Sequence, residues 1–162
     1  MDNSQKLLIA WHSRTGASRA MAKAASEGAG PDAELMAAEA VGPEQLLAAG
    51  GYLFVCPENL ASMSGAMKEM FDRCYYPVLG KIEGRPFATI IAAGSDGQGA
   101  QNQIDRISTG WRLRRVAKPL IICTHAQTID AILAAKTIPP EDLAACRELG
   151  ASLAAGIALG IF

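Results

Sequence analysis

Five short apolar runs recur along the chain, each followed by a stretch with helical character. Lys6 to Trp11 (KLLIAW), Gly51 to Cys56 (GYLFVC) and Phe87 to Ala93 (FATIIAA) are almost wholly apolar. Glu34 to Ala38 is a weaker run, and Leu120 to Thr124 follows Pro119. A strand covered on both faces needs no polar alternation, so such runs read as central strands of a parallel sheet. The intervening helices are expected near Ala17 to Glu27, Pro43 to Leu47, Gly65 to Tyr75, Ala100 to Val116 and Glu141 to Leu159. Met67, Met70, Phe71 and Cys74 show helical spacing within the third. Residues 125–140 read as irregular, with Pro139-Pro140 as a stop. Strand then helix, repeated five times, predicts a three-layer α/β, doubly wound five-stranded parallel sheet with right-handed crossovers. No repeat or linker divides the 162 residues, so 1–162 is expected to form a single domain.

Charge and composition narrow the function. A net charge of −1 gives no whole-chain support for nucleic-acid binding. The strong acidity of a dedicated small electron carrier is missing as well. No apolar run reaches the ~20 residues a membrane span needs. The N-terminal Met1 to Lys6 leads into a strand without a signal-peptide pattern, so a cytoplasmic location is expected. Cys56, Cys74, Cys123 and Cys146 form no CxxC or zinc-like cluster and read as small buried hydrophobes.

An open parallel sheet binds ligands beyond the carboxyl ends of its strands. Three loops rich in small and polar residues fall at that edge: 12–18, 57–64 and 94–99. The first places Ser13, Arg14, Thr15, Gly16, Ala17 and Ser18 at a helix start. Free N–H groups there carry partial positive charge, Gly16 allows close approach, and the hydroxyls add donors. A phosphate can be held this way without a lysine; a capped helix start with no ligand is the alternative. No GxxxxGK[ST] is present, no GxGxxG follows the first strand, and Gly94-x-x-Gly97-x-Gly99 has the wrong spacing for a dinucleotide fingerprint.

The stretch His12-Ser13-Arg14-Thr15-Gly16-Ala17-Ser18 resembles the phosphate loop of the flavodoxin-like family. Pro57 through Arg73 (PENLASMSGAMKEMFDR) is similar to the second flavin loop and following helix of that family's FMN-dependent NAD(P)H oxidoreductase and quinone reductase branch. The resemblance implies strand order 2-1-3-4-5 and non-covalently bound FMN. It implies that Ser13 to Ser18 hold the phosphate, with Arg14 in reach of it. Pro57, Glu58, Asn59, Leu60, Ala61, Ser62 and Met63 would line the flavin ring edge. Gly94, Ser95, Asp96, Gly97 and Gly99 would cover the pyrimidine side. Neither loop 57–64 nor loop 94–99 contains an aromatic residue, whereas electron-carrier flavodoxins stack aromatic rings on the flavin. Either one flavin face is then left open to a substrate, or the flavin is retained weakly.

Other residues carry weaker signals. His12 and His125 fall near the ligand edge, and Trp11 reads as packing at a strand end. Glu58 reads either as an exposed loop acid or as a charge that would lower a flavin's reduction potential. Arg106, Arg112, Arg114, Arg115 and Lys118 form a basic run late in the fourth helix, suited to its C-terminus or to docking NADPH phosphate. Tyr75-Tyr76-Pro77 and the tail Ile157 to Phe162 read as core or subunit contacts.

The leading expectation is an enzyme in which FMN takes a hydride from NAD(P)H and reduces a small-molecule acceptor such as a quinone, nitro compound or free flavin. No side chain is assigned as catalytic, and no metal is expected. A flavodoxin-type electron carrier is the second reading, and a domain that has lost its flavin is the third. The expected partners are that small acceptor, with neither nucleic acid nor membrane; the assembly is a homodimer or a monomer.

Overall fold

The computed structural model describes residues 5–162; Met1–Ser4, part of the stretch read for a leader, lie outside the described residues. The chain runs through β1 (Leu7–Trp11), α1 (Ala17–Ala29), β2 (Ala33–Ala37), α2 (Pro43–Ala48), β3 (Gly51–Asn59) and β4 (Ser62–Met63). It continues through α3 (Gly65–Val78), β5 (Pro86–Ala93), α4 (Gln98–Gly110), β6 (Arg114–Arg115), β7 (Leu120–Cys123), α5 (Ile129–Leu133) and α6 (Pro140–Leu159).

β1 pairs in parallel with β2 on one side and β3 on the other. β3 pairs in parallel with β5, and β5 with β7. The five principal strands therefore take the expected order 2-1-3-4-5. Two short strands are added to them: β4 folds back antiparallel on the end of β3, and β6 pairs with the start of β5.

The sheet is apolar on both faces, as the strand runs predicted. Tyr52, Phe54 and Phe87 meet Met67, Met70 and Phe71 of α3 and Ile104 of α4 on one face. Leu7, Ile9, Leu53, Val55 and Ile90 meet Met21 and Ala25 of α1 and Leu153 of α6 on the other. α1 and α6 touch backbone to backbone. A Cβ on Gly150 would sit 2.0 Å from the Ala25 carbonyl oxygen, and one on Gly28 would sit 2.0 Å from that of Arg147. Small residues are what let these helices share a face.

Three expected boundaries move. The fourth helix stops at Gly110 rather than near Val116. Trp111 caps it, fully buried, with its indole N–H on the Tyr75 carbonyl and its ring stacked on Tyr75. Arg106 therefore stays within the helix, while Arg112, Arg114, Arg115 and Lys118 lie beyond it, and no basic residue occupies its last turn. Arg115 turns inward onto Asp105 at 2.6 Å and over the Phe87 ring, while Arg112 and Arg114 are exposed. Loop 57–64 is mostly a hairpin of β3 and β4. Residues 125–140 contain the short α5, whose start is capped by the Thr128 hydroxyl accepting from Ala131 N–H.

Cys56, Cys74 and Cys146 are buried as expected, and Cys123 is half-buried. Burial pushes the Cys56 thiol up to about 12 and that of Cys146 up to about 11. No helix among the described residues is long and apolar enough to cross a membrane.

Two predictions follow from this packing. Gly150→Ala should destabilise the protein by roughly 1–3 kcal/mol in urea unfolding, because either helix must move to admit the methyl group. A midpoint raised by the ~1 kcal/mol helix preference of alanine over glycine would contradict the close contact. Since the thiolate is the reacting form, a thiol reagent at about pH 8 should leave Cys56 and Cys146 unmodified until the chain unfolds. Rapid reaction of all four cysteines in the native protein would contradict that.

Candidate functional site

The first loop leaves β1 and turns into α1 through Gly16, whose φ of 98° is left-handed and suits glycine. Ser13 Oγ accepts from Gly16 N–H at 3.1 Å and so fixes the turn. The first intrahelical bond runs from Ala20 N–H to the Gly16 carbonyl. The N–H groups of Ala17, Ser18 and Arg19 therefore have no helical acceptor. Ser18 is buried, and its hydroxyl makes no hydrogen bond. Among the described residues only Ser108 Oγ shares that condition, and Ser108 does not line the cleft described below. A buried hydroxyl with no partner costs roughly 1–3 kcal/mol, so an arriving acceptor finds a donor already desolvated.

The second and third loops are tied together by Glu58. Its Oε1 accepts from Gly97 N–H at 3.0 Å and its Oε2 from Ala100 N–H at 3.2 Å. This carboxylate thus caps the start of α4, where its charge is favourable. Beside it, Leu60 and Ala61 form the tip of the β3–β4 hairpin with φ of 53° and 63°. Positive φ at both central residues matches the twist of a two-residue hairpin, although glycine and asparagine take it more cheaply. Ala61 presses its carbonyl against Gly99, where a Cβ would lie 2.0 Å from the oxygen. Gln103 Oε1 holds the far side of the hairpin by accepting from the Ser62 hydroxyl and Met63 N–H.

A cleft open to solvent lies between these loops. Ser13, Arg14, Thr15, Ala17 and Ser18 form one wall, and Pro57, Glu58 and Asn59 another. Ala92, Ala93 and Gly94 form the floor at the end of β5, with Thr124 and Ala126 beyond β7. Ile132 and Lys136, from α5 and the segment after it, complete the lining. Lys136 N–H donates to the Thr15 carbonyl at 2.9 Å, which fastens that segment to the first loop.

The remaining sequence-predicted positions stand outside the lining. Gly16 shapes the turn, and Leu60 is fully exposed at the hairpin tip. Ala61 and Ser62 brace the hairpin, and the Met63 side chain is buried in the core beneath it. Ser95 and Asp96 are exposed, with Asp96 Oδ1 accepting from Gln98 N–H. Gly97 and Gly99 permit close packing under the second loop and β7. His12 Nδ1 shares a 2.8 Å hydrogen bond with buried Ser64 Oγ, and His12 Nε2 lies 3.9 Å from Glu39. His125 is exposed, with a left-handed backbone and its N–H on the Gly94 carbonyl. Neither histidine lines the cleft.

Sequence reasoning missed Ala92, Ala93, Thr124, Ala126, Ile132 and Lys136. The first four end strands at the same sheet edge, and the strand-end rule would have found them. Ile132 and Lys136 belong to a segment without periodicity or motif. A wider hollow at the opposite edge, beside Gln5, Gly50, Arg85 and Phe162, sits at the strand starts. Its Arg85 guanidinium is already spent on the carbonyls of Leu46, Leu47 and Ala49. No group of three or more metal-ligating side chains occurs among the described residues.

Comparison with known proteins agrees with this architecture. A flavodoxin of Aquifex aeolicus (strain VF5) is 27% identical over 164 residues, covering 95% of this chain and 88% of the relative. The solved structure of a flavodoxin from the domain Archaea superposes with a TM-score of 0.77 at 18% identity, covering 94% of this chain and 99% of that one. A flavodoxin, WrbA-like protein from Agrobacterium tumefaciens gives 0.69 at 20% identity, covering 95% and 98%. The fold is flavodoxin-like. The model of the family described as NADPH-dependent FMN reductase matches residues 37–127, more than half of the chain. The chain therefore belongs to the NADPH-dependent FMN reductase family.

Proposed function

We infer that residues 1–162 act as one unit that holds FMN in the cleft between the three loops and reduces a small acceptor at the expense of NAD(P)H. The observation that carries the binding half is Ser18: a buried, unpartnered hydroxyl beside unpaired N–H groups at the start of α1. That donor set suits a phosphate oxygen, and the cleft opens to solvent beside it, between Pro57–Asn59 and Gly94.

FMN, when bound, supplies hydride acceptance and stepwise electron donation. The chain supplies placement. Ser13 rigidifies the loop, while Thr15, Ala17 and Ser18 offer donors to the phosphate. Pro57, Glu58 and Asn59 border the ring. Glu58 serves chiefly as a brace, because both carboxylate oxygens already accept backbone N–H groups. This replaces a role as a loose acid beside the flavin. The rim carries no aromatic ring, and Leu60 and Ile132 present exposed apolar surface. Such a rim suits a flat, poorly charged acceptor such as a quinone or a free flavin. The family description supports NADPH as donor.

A carrier role is the second reading, favoured by the similarity to the Aquifex aeolicus flavodoxin. A net charge of −1 and the bare rim weigh against it, since carriers steer to partners by strong charge.

Ser18→Ala separates binding from folding. It should lower FMN affinity by about tenfold, read by flavin fluorescence quenching. The apoprotein should unfold at the same or a higher urea concentration, because a desolvated hydroxyl is removed. Unchanged affinity would refute the phosphate assignment. For the reaction, anaerobic NADPH should bleach the flavin absorbance of the loaded protein, and added quinone should restore it over many turnovers. A flavin that dithionite reduces but neither NADPH nor NADH does would favour the carrier.

A further inference from the structure

Lys136 departs from a phosphate loop that works by hydroxyls and backbone alone. It reaches the cleft from a segment 121 residues beyond Thr15 in the chain, and its own N–H donates to the Thr15 carbonyl at 2.9 Å. That bond holds Lys136 against the phosphate loop whatever its side chain does. The side chain is half-buried and lines the cleft with Ser13, Thr15 and Ser18. Its ammonium donates to the Ile132 carbonyl at 2.8 Å and the Ala134 carbonyl at 2.6 Å. Both are neutral acceptors at the end of α5, so the positive charge has no ionic partner there.

The charge inventory of the cleft gives this arrangement its sense. Glu58 contributes a negative charge already committed to Gly97 and Ala100 N–H. Arg14 is exposed and able to face solvent. Lys136 is the half-buried cation among the lining residues, and buried Ser18 Oγ waits without a partner on the same wall. We propose that Lys136 is the phosphate-selecting residue of the cleft: its ammonium pairs with the terminal phosphate of the bound flavin and makes the site discriminate FMN from riboflavin. The inference rests on the FMN reading. It adds that the strap from His125 to Pro139 is part of the binding site. Lys136 is a binding residue and takes no part in electron transfer.

The test measures FMN and riboflavin affinities of the full chain by fluorescence quenching for wild type, Lys136→Met and Lys136→Arg. Loss of one charge-assisted contact should cost Lys136→Met about tenfold in FMN affinity. Riboflavin affinity should stay within about twofold, and Lys136→Arg should recover most of the loss, since either cation can pair with a phosphate. Added salt should weaken FMN binding more in wild type than in Lys136→Met. Equal losses for FMN and riboflavin would make Lys136 a mere support of the strap and overturn the proposal. An FMN affinity unchanged in Lys136→Met would overturn it too, while leaving the FMN reading intact. A wild type that binds no FMN would overturn both.

Discussion

The Glu58 carboxylate accepts one hydrogen bond from Gly97 N–H and another from Ala100 N–H, closing a seam between the second and third loops. Much of the cleft's shape depends on that seam. It caps α4, sets the height of the β3–β4 hairpin, and brings Ala61 down onto Gly99. The left-handed pair Leu60 and Ala61 would each cost about 1–2 kcal/mol if free, so the tip needs such bracing. On the other side, His12 and Ser64 link the first loop to the start of α3, and Lys136 N–H links it to the strap. Loops built this way are preformed, and a ligand would lose little entropy in ordering them.

Beneath the loops lies a rigid platform. The carboxyl ends of the strands share one edge of the sheet because all principal pairings are parallel. α1 sits tightly against α6 because glycines of both helices face the opposite backbone. The position of the α1 N-terminus, and with it Ser18, is therefore set by packing far from the cleft. A change at Gly150 would reach the first loop through α1, and through α6 and the strap that is bonded to Thr15.

What could be read in the sequence follows from the range of the interactions. The strands were legible because burial on both faces leaves continuous apolar runs. The first loop was legible because Ser13, Gly16 and Ser18 act within a few residues of one another. Glu58 could be seen as polar but not as a cap, since its acceptor role depends on amides 39 and 42 residues away. Arg115 looked like the end of a helix, yet the helix stops where buried Trp111 stacks on Tyr75, a contact no local pattern announces. The strap was the least legible part. Nothing in residues 125–139 repeats, and the bond from Lys136 to Thr15 joins opposite ends of the chain.

The central claim is that the first loop and the strap together hold the phosphate end of FMN. A crystal structure of the protein grown with FMN tests it most directly. The account predicts the phosphate at the start of α1, accepting from the backbone of Ala17 and Ser18 and from Ser18 Oγ, with Lys136 Nζ turned from the α5 carbonyls to a phosphate oxygen. A flavin bound with its phosphate elsewhere, or a Ser18 hydroxyl still without a partner in the complex, would contradict it.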